Sequence, residues 1–325
     1  MRWRDAMEVA LYGPDGFFVA GSGPASHFRT SVHAAPSFAT ALDRLLTSVD
    51  EALGHPARLD VVDVGAGRGE LLVALRGATD PSVARRVRLT AVERAPRPPG
   101  LPTEIEWVHE IPDRIVGLLV ATEWLDNVPL DVAVRAEDGW RYLEVDPAGR
   151  ESVGEPLDPA DAAWRETWWP TGERVEIGRA RDEAWADALR HVDRGLALAV
   201  DYGHLRDGRP VDGTLTGYRT GRQVPPVPDG SCDVTAHVAM DSVASAGERV
   251  ARCAYALGSQ REALRALGAD GGRPALSLAG RDPAGYLRAL AAASAVAELT
   301  DPAGLGGHWW LRQPVGVALG PLVAR

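Results

Sequence analysis

The sequence predicts an α/β fold, in which a seven-stranded sheet has helices on both faces, from two apolar runs and the turn between them. Leu59–Val64 is a short, valine-rich run, which is typical of a buried parallel strand. A glycine-rich turn at 65–69 follows it, and residues 70–75 then have helical character, with Gly77 at the end. Val87–Val92 is the second apolar run. A strand, a tight turn, a helix and a second strand are the beginning of a doubly wound sheet.

The turn after the first strand has the glycine spacing of a cofactor site. Gly65 and Gly67, with a third glycine two residues later, give the pattern G-x-G-x-G, whereas a dinucleotide fold has G-x-G-x-x-G. The shorter spacing is found in methyltransferases that use S-adenosylmethionine, and an ordinary strand-to-helix turn is the alternative. Glu93 ends the second strand, where a nucleoside ribose would place its hydroxyls. We therefore expect a nucleoside cofactor to bind at Asp63, Gly65, Ala66, Gly67 and Glu93.

Length and composition indicate a globular enzyme. The chain has 325 residues, 45% of them hydrophobic and 25% charged, and a net charge of −10, which argues against nucleic acid and anionic membranes as partners. No apolar run approaches the length of about 18 residues that a membrane span needs, and no signal peptide is recognised at the start. All basic residues are arginine and Asn127 is the one asparagine, which indicates a GC-rich genome. A bacterial, cytoplasmic protein is expected.

Cysteine and histidine usage predicts neither a metal site nor a disulfide framework. Cys232 and Cys253 lie far apart in the sequence and match no metal-binding or redox spacing. The eight histidines are scattered, without a second ligand at the spacing that a metal site would need.

Residues 1–57 are expected to form an N-terminal lid and a packing helix. Residues 1–35 are rich in turns, and they either fold over the cofactor or form a plain surface arm. Phe17 and Phe18 follow a turn in this segment and are candidate contacts for a substrate. Residues 37–53 repeat apolar side chains at helical spacing, so this helix is expected to pack on the sheet.

The predicted third strand, 104–108, ends at the same edge of the sheet. A proline-rich connector, 95–102, takes the place of a crossover helix before it. Ligands of doubly wound sheets bind beyond the carboxyl ends of the strands, so we expect Val108 and His109 near an adenine. Trp107 is next to them in sequence, but core packing is the preferred interpretation for its side chain.

Two carboxylates follow the most apolar strand of the chain, which is predicted at 115–121. Glu123 and Asp126 are three residues apart, so in a helical turn they would share a face. Nitrogen-directed methyltransferases place polar groups that hold the nucleophile at this position, and two solvated acids in a capped loop are the alternative. We expect Glu123 and Asp126 to be the catalytic groups.

The rest of a domain that spans 58–325 is predicted to contain two insertions and three further strands. The first insertion, at about 130–177, begins with a hairpin that turns at Asp138 and Gly139. The second, at about 204–235, is a long loop rich in glycine and proline. The remaining predicted elements are a helix at 178–191, a strand at 196–200, a helix that follows 233–237 and ends at about 246, a strand at 249–255, helices at 259–267 and 283–299, and a strand at 308–319.

Six motifs occur in an order that resembles the MidA family, whose mitochondrial members assist the assembly of complex I. They are ALYGPDGFF at 10–18, VGAGRG at 64–69, TEWLDNVP at 122–129, DYG at 201–203, GTLTGYR at 213–219 and DVTAHV at 233–238. The resemblance covers nearly the whole chain. It implies a Rossmann-like class I methyltransferase that uses S-adenosyl-L-methionine (SAM).

The resemblance also implies roles for individual residues. Gly65 and Gly67 would contact the methionine moiety of SAM, and Glu93 would bind its ribose. Glu123 and Asp126 would line the acceptor site. For the mitochondrial members the family implies N-methylation of arginine side chains in proteins, and this is the activity we expect.

Two departures from the family pattern fall at the mouth of the expected site. The run 30–35 lacks the acidic residue of the family, and Thr122 stands where the family has asparagine. A small molecule in a biosynthetic pathway is therefore an alternative methyl acceptor, and a non-catalytic assembly factor that binds SAM is a further alternative. Tyr202 and His237 are weaker candidates for contact with the acceptor. A homodimer is considered as the oligomeric state of the protein.

Overall fold

A central sheet of seven strands organises the protein, as the sequence predicts. The computed structural model describes residues 1–19, 31, 35–269, 271–320 and 322. In chain order its strands are β1 (Leu59–Val64), β2 (Val87–Val92), β3 (Ile105–Val108), β4 (Ile115–Thr122), β5 (Asp131–Ala136), β6 (Gly139–Val145), β7 (Glu151–Pro156), β8 (Arg174–Ile177), β9 (Val192–Asp201), β10 (Gly203–His204), β11 (Thr216–Arg219), β12 (Arg222–Val224), β13 (Asp233–Thr235), β14 (Val238–Ala239), β15 (Ala256–Ser259) and β16 (Trp309–Val315).

The central sheet has the strand order β15-β16-β9-β4-β1-β2-β3. Its pairs are parallel except those that include β16, which is antiparallel to both β9 and β15. All six residues of β1 are buried, which explains why its sequence is an almost continuous apolar run. The strand order reverses between β1 and β4, and doubly wound sheets bind their ligands beyond the strand ends at such a point.

Helices cover both faces of this sheet. The helices of the described residues are α1 (Trp3–Tyr12), α2 (Ala35–Ala52), α3 (Glu70–Ala78), α4 (Pro81–Ala84), α5 (Pro159–Trp168), α6 (Arg179–Arg190), α7 (Met240–Ala251), α8 (Gln260–Ala266), α9 (Leu276–Arg281) and α10 (Pro283–Leu299). Successive residues of a strand point to opposite faces. Val61 accordingly packs in a core with Leu42 of α2 and Leu264 of α8, while Val62 packs in a second core with Trp185 of α6.

The predicted hairpin after β4 is present and belongs to a second, four-stranded sheet. The order of this sheet is β7-β6-β5-β8, and it is antiparallel. Helix α1 packs on it, because Trp3 and Leu11 share a buried cluster with Val132 and Leu143. Val234 of β13 belongs to the same cluster. The N-terminus is therefore fixed to the segment that follows the expected catalytic carboxylates.

The prediction that 204–235 is a long loop without regular structure is wrong, whereas the helix predicted to follow 233–237 is present as α7. The segment contains β11, β12 and β13, which form a three-stranded antiparallel sheet. These strands have three or four residues each, and strands this short show no clear alternation in sequence. Asp233 begins β13, and α7 starts only at Met240.

The predicted strand at 249–255 is also wrong. Helix α7 continues to Ala251 and ends where Arg252 adopts a left-handed conformation, with φ +53°. Val243, Ala246 and Gly247 of this helix are buried, so the helix is held by packing on the sheet. The edge strand β15 follows at Ala256–Ser259.

The remaining predicted elements agree with the structure. Helix α10 has the predicted bounds, and α8 begins after Ser259, which forms a capping box with Glu262. No helix separates β2 from β3. Part of the predicted lid, at 20–30 and 32–34, lies outside the described residues. None of the helices in the described part of the chain is long and apolar enough to cross a membrane.

Candidate active site

The turn between β1 and α3 brings main-chain atoms to the edge of a cavity. Gly65 and Gly67 have φ values of +72° and +58°, a region that side chains with a Cβ rarely adopt. A Cβ on Gly65 would lie 2.8 Å from Cδ1 of Trp124, so glycine is also required there by space. A Cβ on Gly67 would meet only Oε2 of Glu70, at 3.6 Å. A ligand can therefore approach the main chain of this turn closely at Gly67.

Two acidic side chains lie beside this turn. Glu93, at the end of β2, accepts hydrogen bonds from the N–H of Gly67 to Oε2 and from the N–H of Ala95 to Oε1, each 3.0 Å long. Burial raises the pKa of Glu93, and these N–H groups oppose that effect. Asp63, in β1, is buried, and its Oδ1 has no hydrogen-bond partner among the described residues. These oxygens can accept hydrogen bonds from ligand hydroxyls.

One cavity of about 1080 Å³ contains most of the residues that the sequence predicts for the site. The expected cofactor residues on its lining are Asp63, Gly65, Ala66, Gly67, Glu93 and His109, and the expected acceptor residues are Phe18, Glu123, Asp126, Tyr202 and His237. A ligand pocket commonly measures about 300–1000 Å³, so this cavity has room for a cofactor and an acceptor together.

Two of the expected residues are not on the cavity lining. Val108 packs against the core cluster that includes Val62, and its carbonyl accepts a hydrogen bond of 2.9 Å from the N–H of Glu93. Phe17 is buried below Phe18, with the ring centroids 5.2 Å apart in an edge-to-face arrangement. Trp107 packs on the core and donates a hydrogen bond to the carbonyl of Ala95. His109 is held by a hydrogen bond of 2.8 Å to the carbonyl of Glu93.

Glu123 lies immediately after β4 in a strained backbone conformation. Its φ is +50°, which is uncommon for a residue with a side chain and is often associated with functional sites. The N–H of Glu123 donates to the carbonyl of Val200 in β9, at 2.8 Å, and its Oε1 accepts a hydrogen bond of 3.0 Å from the N–H of Ser31. Burial raises the pKa of Glu123 to about 8, although the bond from Ser31 favours the charged form.

Asp126 is the second predicted carboxylate, and it is almost completely buried. Its Oδ2 accepts hydrogen bonds from the hydroxyls of Tyr202 and Thr235, the latter 2.7 Å long. Its Oδ1 has no partner among the described residues. Burial raises the pKa of Asp126, and the two hydroxyls oppose the effect. The short helical turn Leu125–Asn127 therefore brings Asp126 to the same cavity as Glu123, as the spacing predicts.

Two further buried carboxylates surround this pair. Asp201, at the end of β9, accepts hydrogen bonds from the N–H groups of Leu125 and Asp126, at 3.0 and 3.3 Å. Asp233 accepts one of 2.7 Å from Nδ2 of Asn127. Burial raises the pKa of both acids, and the charge of Asp126 raises them further. Both belong to motifs noted in the sequence, and Asp201 also ends a central strand, so this position could have indicated it.

Arg181 is a buried residue that supports the site, and the sequence analysis did not find it. It is 1% exposed, and its guanidinium donates to the carbonyls of Asp126, Val128, Ala236 and His237. The arginine therefore joins the segment after β4 to the segment after β13. Its charge also favours the ionised forms of Asp126 and Asp201. No local motif marks it, because its contacts lie 53 to 56 residues away in sequence.

The segment 302–308, just before β16, forms another part of the lining that was not predicted. Its cavity residues include Leu305 and His308. His308 is 9% exposed, and its ring lies 5.6 Å from that of Tyr202, measured between centroids. Burial lowers the pKa of His308 to about 4, so this imidazole is neutral at physiological pH.

The cavity is strongly acidic. Its described lining contains two arginines, Arg68 and Arg94. The carboxylates on it are more numerous: Asp63, Glu70, Glu93, Glu110, Asp113, Glu123, Asp126, Asp187 and Asp233. The guanidinium of Arg94 is already occupied, since it lies 4.3 Å from the ring centroid of Tyr12 and pairs with Glu8 at 2.6 Å. Such a lining favours a cationic ligand. No group of three or more acidic, histidine or cysteine side chains among the described residues is arranged to hold a metal ion.

Comparison with protein families identifies the family of the protein that contains this cavity. Residues 42–257 match the model of a family of S-adenosyl-L-methionine-dependent methyltransferases. The chain belongs to this family. The matched part includes the glycine turn, both predicted carboxylates and Arg181, so the methyltransferase family covers the cofactor side and much of the acceptor side of the cavity.

Two relatives agree with this assignment. The methyltransferase is 32% identical over 205 residues to "Protein arginine methyltransferase NDUFAF7, mitochondrial" of Danio rerio, and the match covers 57% of the chain and 44% of that relative. It therefore spans less than half of the length of this relative. A crystal structure of a protein from Burkholderia thailandensis bound to S-adenosyl-homocysteine superposes with a TM-score of 0.80, at 25% identity, over 99% of this chain and 89% of the other.

A second, native crystal structure of a protein from Burkholderia thailandensis superposes with a TM-score of 0.78 at 25% identity, over 99% of this chain and 89% of the other. The protein is therefore a class I methyltransferase, and SAM is its cofactor. The open space at Gly67 and the unpartnered Oδ1 of Asp63 fit a ligand that has a nucleoside and an amino-acid part.

Proposed function

We propose that this methyltransferase methylates the guanidinium group of an arginine side chain in a protein. The observation that carries the proposal is the pair of carboxylates on the lining of an acidic cavity, the partly buried Glu123 and the buried Asp126. A guanidinium is planar and cationic, and it pairs with carboxylates through two parallel hydrogen bonds. The Danio rerio relative is a protein arginine methyltransferase, which supports the same acceptor.

We assign the cofactor to the glycine turn and the ends of β1 and β2. SAM supplies a methyl group that is already activated by the positive charge on its sulfur. Main-chain groups of Gly65, Ala66 and Gly67 would contact its methionine part, and Glu93 would accept hydrogen bonds from the ribose hydroxyls. His109 would lie beside the adenine. Val108 is assigned an indirect role there, because it supports the backbone of Glu93.

We assign the acceptor to the carboxylates after β4. Glu123 would accept hydrogen bonds from the guanidinium. Asp126, which accepts hydrogen bonds from the hydroxyls of Tyr202 and Thr235, would support Glu123 in holding the acceptor. A bound cation favours the charged form of Glu123 and so lowers its pKa from about 8. In the reaction a bond forms between the guanidinium nitrogen and the methyl carbon, the bond from carbon to sulfur breaks, and one proton leaves the nitrogen. We assign to Glu123 the role of accepting this proton.

Aromatic side chains would complete the acceptor site. Phe18 stacks on Tyr12 with centroids 5.7 Å apart, and Tyr202 contacts His237 with centroids 5.2 Å apart. All four line the cavity, and aromatic faces attract cations such as guanidinium. Phe17 would act by supporting Phe18.

The first test is methylation by the Glu123→Gln variant. Purified protein is incubated with SAM that carries an isotopically labelled methyl group and with arginine-containing proteins, and the products are analysed by mass spectrometry. We expect methylarginine with the wild type and a loss of about a hundredfold or more with Glu123→Gln, because a positioned carboxylate typically contributes this much. Calorimetry should show unchanged binding of S-adenosyl-homocysteine.

Glu110→Gln is the matched control. Glu110 is an exposed carboxylate on the same cavity, so its substitution should leave the rate within about twofold. A wild-type rate with Glu123→Gln would contradict the assignment of Glu123. Labelled small molecules in place of labelled protein would favour a biosynthetic acceptor, and cofactor binding without any transfer would favour an assembly factor. The predictions of a homodimer and of a bacterial, cytoplasmic location are tested separately, by light scattering and by fractionation of the source cells.

A further inference from the structure

Gln260 is a buried amide that lies outside the cavity but contacts two of its walls. It is the first residue of α8 and is fully buried. Its Oε1 accepts a hydrogen bond of 3.1 Å from the indole of Trp310, in the central strand β16. Its Nε2 donates to the carbonyls of Leu299 and Leu305, at 3.2 and 2.9 Å. A buried amide with so many partners has a fixed orientation.

The first wall is reached through Ser31. The amide of Gln260 and the hydroxyl of Ser31 are within hydrogen-bond distance, at 3.2 to 3.3 Å, and Ser31 is fully buried. The N–H of Ser31 donates to Oε1 of Glu123 at 3.0 Å. A continuous path of hydrogen bonds therefore leads from β16 through Gln260 and Ser31 to the carboxylate of Glu123.

The second wall is the segment 302–308. Besides the bond from its side chain to Leu305, Gln260 donates its own N–H to the carbonyl of His308, at 2.7 Å. Leu305 and His308 line the cavity. One residue thus fixes two parts of the lining that are far apart in sequence, one around Glu123 and one at 302–308.

We infer that Gln260 is a positioning residue for methyl transfer. It sets the position of Glu123 through Ser31, and it holds the segment 302–308 through its own hydrogen bonds to Leu305 and His308. The inference rests on the proposed function, because it takes Glu123 as the group that holds the acceptor. Transfer between two bound molecules is sensitive to alignment, and a misplacement of about 1 Å can lower the rate about a hundredfold. Outer hydrogen bonds that orient a functional group are therefore needed for its full effect.

The path also acts on the ionisation of Glu123. The N–H of Ser31 bonds to the charged form and so favours it. Among the described residues the charge of Asp126 raises the pKa of Glu123, and the charge of Glu123 raises the pKa values of Asp201 and Asp233. None of these three bonds to Gln260 in the described structure, so a substitution of Gln260 changes the Ser31 bond and leaves them in place.

The test compares Gln260→Met with Gln313→Met. Gln313 is also a fully buried glutamine, in strand β16 of the central sheet, but its amide donates to the carbonyl of Cys253, away from the cavity. Ser31→Ala is a second variant, which removes only the hydroxyl and does not depend on the folding of Gln260→Met. For each protein we would measure the carboxyl titration of Glu123 by NMR with labelled glutamate, assigned through its loss in Glu123→Gln. The kcat and KM for an arginine peptide and the binding of S-adenosyl-homocysteine complete the comparison.

We expect Gln260→Met to raise the pKa of Glu123 and to lower kcat about tenfold or more, with binding of S-adenosyl-homocysteine within about twofold of the wild type. Ser31→Ala should change both quantities in the same direction. The double variant should be little worse than the stronger single one, because both substitutions break one path. Gln313→Met should leave the titration of Glu123 and kcat unchanged.

An unchanged titration of Glu123 in Gln260→Met and in Ser31→Ala would overturn the inference, whatever the activity. An equal loss of kcat in Gln313→Met would also overturn it, because general destabilisation would then explain the effect. If the wild type methylates no arginine but the titration still moves in Gln260→Met, the proposed acceptor is wrong and the positioning of Glu123 by Gln260 stands.

Discussion

Single residues control the cofactor side of the cavity, and Gly67 is the position where this is simplest to test. Gly67→Val should abolish binding of S-adenosyl-homocysteine, since its branched side chain would enter the cavity and its backbone has a positive φ. Gly54→Val is the matched control. Gly54 also has a positive φ, of +76°, but a Cβ there meets nothing within 4 Å. Both variants have backbone strain of about 1–2 kcal/mol, but only Gly67→Val also fills space that the ligand needs, so calorimetry with both separates the two effects. Equal losses of binding would contradict the assignment of the cofactor to Gly67.

The ionisation of Glu123 leads to a prediction at the same scale. A carboxylate must be charged to hold a guanidinium, and the pKa of Glu123 is raised to about 8. In the free enzyme the charged form is therefore lost as the pH falls below about 8. We expect kcat/KM for an arginine peptide to fall through this range, by about tenfold per pH unit below it. A profile that is flat between pH 6 and 9, or one that Glu123→Gln leaves unchanged, would show that a different group holds the acceptor.

Helix α6 shows how buried polar groups fix an element of the acceptor side. Asp182 is buried beside Arg181, and its Oδ2 accepts hydrogen bonds from Trp164 of α5, at 2.8 Å, and Ser242 of α7, at 2.5 Å. Burial raises the pKa of Asp182 to about 6. The folded protein therefore binds this proton more tightly than the unfolded chain, and the associated stability is lost as the pH rises from about 4 to 6.

Asp182→Asn should remove this pH dependence and keep an oxygen for both donors. Relative to the wild type, the variant should gain stability as the pH rises from about 4 to 7. The difference between a pKa near 6 and the ordinary 3.8 corresponds to about 3 kcal/mol, and the cost of an unpaired amide N–H in the variant is the same at both pH values. Denaturant unfolding at both pH values measures it. A constant difference between the two proteins would contradict the role of Asp182.

The elements that the sequence predicts are those whose information is local. The apolar run of β1, the glycine turn and Glu93 lie within 35 residues of each other, and α10 has the predicted bounds. The three-stranded sheet at 216–235 was missed, because its short strands are held by partners rather than by their own pattern. Ser31 and Gln260 are 229 residues apart, and no spacing rule connects them. Residues that bind or position through such contacts become visible only in the folded chain.

At the scale of the whole molecule, the acidic cavity belongs to a protein with a net charge of −10. The negative charge of the cavity lining and the net negative charge of the protein should both attract a basic peptide, and salt screens such attraction. We expect kcat/KM for an arginine peptide to fall about threefold or more when the salt concentration rises from about 0.05 to 0.5 M. Binding of S-adenosyl-homocysteine is the internal control, since it has no net charge. A salt-independent rate would show that the acceptor is not held by charge.

The two sides of the cavity come from different kinds of structure, and this has a consequence for how such enzymes diversify. The cofactor side is formed by the ends of β1 and β2, within the buried sheet. The acceptor side is formed by connections between strands and helices of the central α/β fold. These are the turn 123–128, the segment 214–237, which contains the small three-stranded sheet, and the segment 302–308. Connections tolerate mutation and insertion better than buried strands do. Evolution or protein engineering can therefore change the preferred substrate by exchanging these connections, while the scaffold continues to use the same methyl donor.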